Sequence, residues 1–242
     1  MHLHSVAVRK LEHGAELTEN DRRRIDEALE DVLTFARGGD LVQEGDRPEH
    51  AHVVLEGFAC RYKVVRDGGR QIIGWLVPGD FCDLQVHLLG AMDHSITALT
   101  ACRVARVPPQ AVRDLTSQER ILQALRWSTL VDEAILREWM VGMGRRPADR
   151  QIAHLICELL HRLRSVGLAE GNRLDFPVTQ EEVADTVGMS SVHVNRVLQQ
   201  LRGEGMIAQE GRVLTVLDEP RLCAFAEFDP NYLHLTPRSD VA

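Results

Sequence analysis

The stretch VTQEEVADTVGMSSVHVNRVLQQL, residues 178–201, leaves the fewest options for its fold. Thr179 and Glu182 have the spacing of a capping box, Val183 and Val187 share one side of the helix it starts, and Gly188 ends that helix. Ser190 or Ser191 then caps a second helix. Val194, Val197, Leu198 and Leu201 share one side of it, with Val192, Asn195, Arg196 and Gln199 on the other. Upstream, ADRQIAHLICELLHRLRSVG gathers Ile152, Leu155, Ile156, Leu159 and Leu160 on one helical side. Downstream, MIAQEGRVLTVLD reads as a hairpin around a Glu-Gly turn, with Arg212 near its tip. Helix, turn, helix and wing follow one another in order.

The outward side of the second helix has the chemistry of a major-groove reader. Arg196 can donate two bonds to guanine, Asn195 or Gln199 can pair with adenine, and Val192 can touch a thymine methyl. Ser191 and His193 flank that row, and the cap residues Thr179 and Ser190 complete the expected double-stranded DNA contact set. The net charge of −8 looks adverse to binding DNA, but residues 145–216 carry equal numbers of acidic and basic side chains. A local basic face governs contact with phosphates, so the overall acidity carries little weight. The competing reading is a ligand-sensing or protein-interaction module whose winged unit is a docking surface.

The rest of the chain predicts an α+β protein. An amphipathic helix near the start is marked by Thr18 and Asp21, with Ile25, Leu29 and Val32 along it. Short β-rich pieces follow, punctuated at Glu44-Gly45-Asp46, Glu56-Gly57, Asp67-Gly68-Gly69 and Pro78-Gly79-Asp80, with a hairpin at CRYKVVRDGGRQIIGWL. A β-roll is expected through about Pro108. From about Ser117 to Met143 the chain is helical, and Ile121, Leu125, Ser128, Asp132, Ile135 and Trp139 form a broken coiled-coil seam that predicts a homodimer. Pro147 marks a boundary. The predicted organisation is a sensor domain over 1–116, a dimerisation helix over 117–145 and a winged helix-turn-helix over 146–242. The acidic tail, with Phe225, Phe228 and Tyr232, is expected to fold back on that last unit.

No apolar run is long enough to span a membrane and no secretory signal is evident, so a cytoplasmic protein is expected. Cys60, Cys82, Cys102, Cys157 and Cys223 are scattered singly, without the spacing of a zinc or iron–sulfur site, and read as small buried hydrophobes. No metal site and no cofactor is predicted. Nucleophile, zinc-protease and phosphate-loop motifs are absent, which argues against an enzyme.

In layout, with VLEG and PGDF in the β-roll, a long helix, RRPADRQIAHLICEL at the hinge and the winged unit, the chain resembles the Crp/Fnr superfamily of bacterial transcription regulators, which includes the cyclic-AMP receptor protein. The resemblance implies a homodimer on a two-fold operator that contacts RNA polymerase, with Ser191, Val192, Asn195 and Arg196 at the base-reading positions. The effector-pocket positions fall on Cys82-Asp83 and His94-Ser95, where cyclic-nucleotide binders carry Gly-Glu and Arg-Ser. Cys82 adds a side chain where backbone should approach the ligand, Asp83 is a methylene short, and His94 makes no bidentate phosphate clamp. No cysteine precedes Cys60, unlike the iron–sulfur branch. Cys82, His87 and His94 are the residues haem would use, and Cys82 is a candidate redox thiol. An unknown small ligand, or none, is the preferred reading.

Overall fold

The computed structural model describes residues 4–82, 84 and 90–235. Asp83 and His87 lie outside the described residues. Two short helices, α1 (Val6–Leu11) and α2 (Glu19–Ala28), open the chain. The expected capping box starts α2, with the Thr18 hydroxyl accepting from the Asp21 amide and the Asp21 carboxylate accepting from the Thr18 amide.

A β-roll follows, built from two antiparallel sheets. One orders β1 (Val32–Phe35), β7 (Cys102–Val107) and β3 (Ala51–Glu56) in the sequence β1-β7-β3. The other runs β2-β6-β4-β5, from β2 (Asp40–Val42), β6 (Ser95–Ala98), β4 (Ala59–Val64) and β5 (Arg70–Leu76). The β4–β5 hairpin closes through Val65 and Gly69, as the DGG turn predicts. At Gly57, φ is +82° and an added Cβ would lie 2.3 Å from the Ala101 carbonyl oxygen, so only glycine fits between β3 and β4.

Helix α3 (Pro109–Thr116) leads into the long α4 (Glu119–Arg145). Arg146 is extended (φ −85°, ψ 137°) before Pro147, and α5 (Ala148–Ser165) begins directly after it. The winged unit holds α6 (Gln180–Val187), α7 (Ser191–Gly203) and a three-stranded sheet ordered β8-β10-β9, from β8 (Arg173–Asp175), β9 (Ile207–Glu210) and β10 (Val213–Val216). Beyond the wing, α8 (Glu219–Ala226) and a 3-10 turn (Pro230–Leu233) return to pack on α5 and α4, which is the fold-back expected of the tail.

One apolar core runs through both halves. Trp75 of β5 meets Phe58 edge-on and stacks on Phe176 of the winged unit at 6.1 Å, while Trp127, Val131 and Ile135 of α4 join the same cluster. A chain of buried charges crosses the same region. Asp80 accepts from Lys10 Nζ at 2.6 Å, Arg162 Nη2 at 2.5 Å and the Val77 amide at 2.7 Å. Arg162 also donates to Glu158 at 3.0 Å, and Glu158 accepts from Trp139 Nε1 at 3.0 Å and the Tyr232 hydroxyl at 2.9 Å. Helices α1, α4 and α5, the Pro78-Gly79-Asp80 turn and the tail are thus tied by one network.

The predicted dimer seam requires correction. Ile121, Leu125, Ser128 and Ile135 are buried within the single chain, where Ile121 and Leu125 pack with Val8, Leu11 and Ile25 of the first two helices. Asp132 pairs with Arg61 of β4 at 3.1 Å and Trp139 is bound to Glu158. The outward stripe lies one position further along the helix: Leu122, Thr129, Leu136, Met140 and Met143, with Leu136 44% and Met140 69% exposed. Alternating apolar spacing defines two neighbouring stripes on α4, and α1, α2, the β-roll and α5 together cover the first.

Candidate nucleic-acid interface and sensor pocket

The two helices of the opening stretch form as their local signals require. The Thr179 hydroxyl accepts from the Glu182 amide and the Glu182 carboxylate accepts from the Thr179 amide at 2.7 Å, so the box is complete. Gly188 takes φ +69° and ψ 37°, the left-handed conformation that reverses the chain after α6 without a Cβ clash. Ser190, not Ser191, is the N-cap of α7, its hydroxyl accepting from the His193 amide. Val194, Val197, Leu198 and Leu201 are buried against the domain.

Those caps and contacts fix which side faces out. Val192 is 79% exposed, Ser191, Arg196 and Gln199 are exposed, and His193 and Asn195 are half-buried beside them. Arg196 Nη2 lies 2.7 Å from His193 Nδ1, and Gln199 reaches Asn195 Oδ1 at 3.5 Å. Among the described residues Arg196 has no carboxylate within ion-pair distance. At the wing, by contrast, Arg212 is paired with Asp175 of β8 at 2.5 Å. An exposed guanidinium without a counter-charge, in a row of amide and methyl groups on the outward side of a helix packed on the domain, suits a polyanion that also displays base edges.

Between the β-roll and α4 lies a cavity of about 420 Å³. Its wall is mostly apolar, with Ile73, Phe81, Leu84, Met92 and Leu136, and it includes Cys82 and His94. Ser95 takes no part: its hydroxyl accepts from the Glu44 amide at 2.9 Å and secures the turn after β2, which corrects its expected place in the pocket. Cys82 is buried with its carbonyl held by Arg61. His94 Nδ1 sits 2.7 Å from Asp93, and this pairing holds the Asp93 carboxyl below its usual range. Sequence reasoning missed Arg61. Its guanidinium spans the cavity from the Phe81 and Cys82 carbonyls to Asp132 of α4, a bridge that joins residues distant in sequence.

Burial pushes the Cys60 thiol up to about 12 and also raises Cys102, so these two behave as the inert apolar groups expected. Among the described residues no helix is long and apolar enough to cross a membrane.

The winged unit also clasps the sensor. Arg37 donates to both Glu182 oxygens at 2.7 Å, Arg70 pairs with Asp185 at 2.7 Å, and Trp75 Nε1 donates to the Thr186 hydroxyl at 2.9 Å.

A β-roll sensor joined by one long helix to a winged helix-turn-helix with an outward, basic reading helix defines a DNA-binding transcription regulator rather than an enzyme. Residues 32–119 match the cyclic nucleotide-binding domain model and residues 150–225 the Crp-like helix-turn-helix domain model. The chain is 31% identical over 201 residues to the transcriptional activator protein FnrL of Cereibacter sphaeroides, covering 81% of this chain and 80% of that protein. It is 30% identical over 195 residues to the nitrogen fixation regulation protein FixK of Bradyrhizobium diazoefficiens, covering 79% and 80%. The solved structure of FixK2 from Bradyrhizobium japonicum superposes with a TM-score of 0.71 at 22% identity, over 80% of this chain and 96% of that one. The chain belongs to the Crp/Fnr family of transcription regulators, whose members act as dimers.

Proposed function

We propose that the dimer reads a two-fold operator through the outward row of α7, with Arg196 and Asn195 the main base readers, Gln199 a second amide reader and Val192 an apolar contact to a thymine methyl. Ser191, His193 and the caps Thr179 and Ser190 take the flanking phosphates or bases. The observation that carries this reading is the exposed Arg196 at the centre of the row, which touches His193 but has no carboxylate partner among the described residues. The two copies meet along Leu122, Thr129, Leu136, Met140 and Met143 of α4, a stripe on which Leu136, Met140 and Met143 are exposed. The regulator works in the cytoplasm and contacts RNA polymerase at the promoter.

Its effector is a small, largely apolar molecule rather than a cyclic nucleotide. Supporting this, the two basic groups on the described cavity wall, Arg61 and His94, are already held by Asp132 and Asp93, so neither is free to clamp a phosphate. The wall also contains Thr129, Glu133 and Leu136, so an occupant would touch the face on which the partner helix lies.

The test is Arg196→Ala on the purified dimer. Loss of one bidentate base contact is worth about 1–3 kcal/mol, roughly 5- to 150-fold in operator affinity, with little change on random DNA. Footprinting at a mapped site and sedimentation read the two quantities. Unchanged operator affinity would remove Arg196 from the reading row, and a changed oligomeric state would point to a folding role instead.

A further inference from the structure

Helices α5 and α8 pack side by side, and each turns a pair of metal-type donors, one helical turn apart, toward the other: Cys157 and His161 on α5, Glu219 and Cys223 on α8. His161 Nε2, a Glu219 carboxylate oxygen and Cys223 Sγ all lie within 4.8 Å of one another. His161 Nε2 is buried and makes no aligned hydrogen bond, although Glu219 Oε1 stands 3.2 Å away. The two sulfurs are 3.7 Å apart.

The sulfur–sulfur and nitrogen–oxygen separations are close to the edges of a tetrahedron around zinc. With Zn–S near 2.3 Å and Zn–N or Zn–O near 2.0–2.1 Å, two sulfurs on one ion stand about 3.8 Å apart, and a nitrogen and an oxygen about 3.4 Å apart. Arg164 donates to both Glu219 oxygens, at 3.0 and 2.9 Å, which is the outer support that ligating carboxylates ordinarily have. The Phe228 ring, 5.1 Å from that of His161, covers one side. Burial lowers the affinity of His161 for a proton, favouring the neutral imidazole that a metal takes.

We infer that His161, Glu219 and Cys223 form a binding site for a borderline-soft divalent cation, Zn²⁺, with Cys157 completing the coordination after a small side-chain adjustment. Such an ion fastens the tail helix α8 to α5.

The reduced, chelator-treated dimer is titrated with Co²⁺, then with Zn²⁺ in competition. One Co²⁺ per chain is expected, with a near-ultraviolet thiolate-to-cobalt band and intense visible bands of tetrahedral geometry, both displaced by Zn²⁺. Cys223→Ser reduces the thiolate band and Cys157→Ser with Cys223→Ser removes it, while Arg164→Gln weakens binding by about 10- to 100-fold. Cys60→Ser leaves both unchanged. Absence of the band in the unmodified dimer, or its persistence at undiminished intensity in Cys223→Ser, overturns the site. Circular dichroism of each variant separates loss of binding from loss of fold, and His161→Gln provides a second variant should Cys223→Ser fail to fold.

Discussion

Asp80→Ala is expected to destabilise the protein by about 3–5 kcal/mol, because it leaves Lys10 and Arg162 buried against a missing counter-charge. Burial alone would raise the Asp80 carboxyl, but the Lys10 and Arg162 charges outweigh it and hold it below the usual carboxylate range. A carboxyl depressed in the folded state contributes its stabilisation in full above the ordinary carboxylate range and loses it as pH falls through the folded value. Urea unfolding at fixed protein concentration should therefore show the difference between Asp80→Ala and the unmodified chain at neutral pH, shrinking steadily toward pH 3. A difference under about 1 kcal/mol at pH 7 would mean that Arg162 keeps adequate pairing through Glu158 alone.

Leu136→Glu combined with Met140→Glu should convert the dimer to monomer. Both side chains stand exposed on the outward stripe of α4, so the single chain loses little, while two carboxylates per copy would face their equivalents across a two-fold seam. Operator affinity should fall at least about 100-fold, since two linked half-sites become one. Sedimentation and footprinting measure these effects. The complementary change Ile121→Glu should instead unfold the sensor, because Ile121 is fully buried among α1 and α2. A variant pair that stayed dimeric would place the seam elsewhere.

That exchange of stripes shows where sequence reading stops. The reading helices were legible because their signals are local: a Thr-x-x-Glu box, a glycine at the chain reversal, a serine cap and apolar spacing within one helix. The hairpin at Gly68-Gly69 and the helix break at Pro147 were legible for the same reason. On α4, apolar periodicity gives angles between residues but not which partner each face meets, so Ile121 and Leu125 could not be told from Leu122 and Leu136. Strand β8 offers only three residues and gains its identity by pairing with β10. Arg61 was missed since its partners come from α4 and the turn after β5. The donor pairs Cys157/His161 and Glu219/Cys223 each have helical spacing in the sequence, yet nothing local places one helix against the other.

The Arg37 clasp has a thermodynamic consequence. Glu182 caps the first reading helix through the Thr179 amide and at the same time receives both of its Arg37 bonds from the sensor. One carboxylate therefore belongs to two balances, the start of a helix and the grip of one domain on the other. A shift of the β-roll that withdraws Arg37 alters the charge at the helix start, and any arrangement DNA imposes on that start is felt at Arg37. By reciprocity, whatever free energy an effector in the cavity lends to DNA binding through this carboxylate, DNA returns in equal measure to the effector.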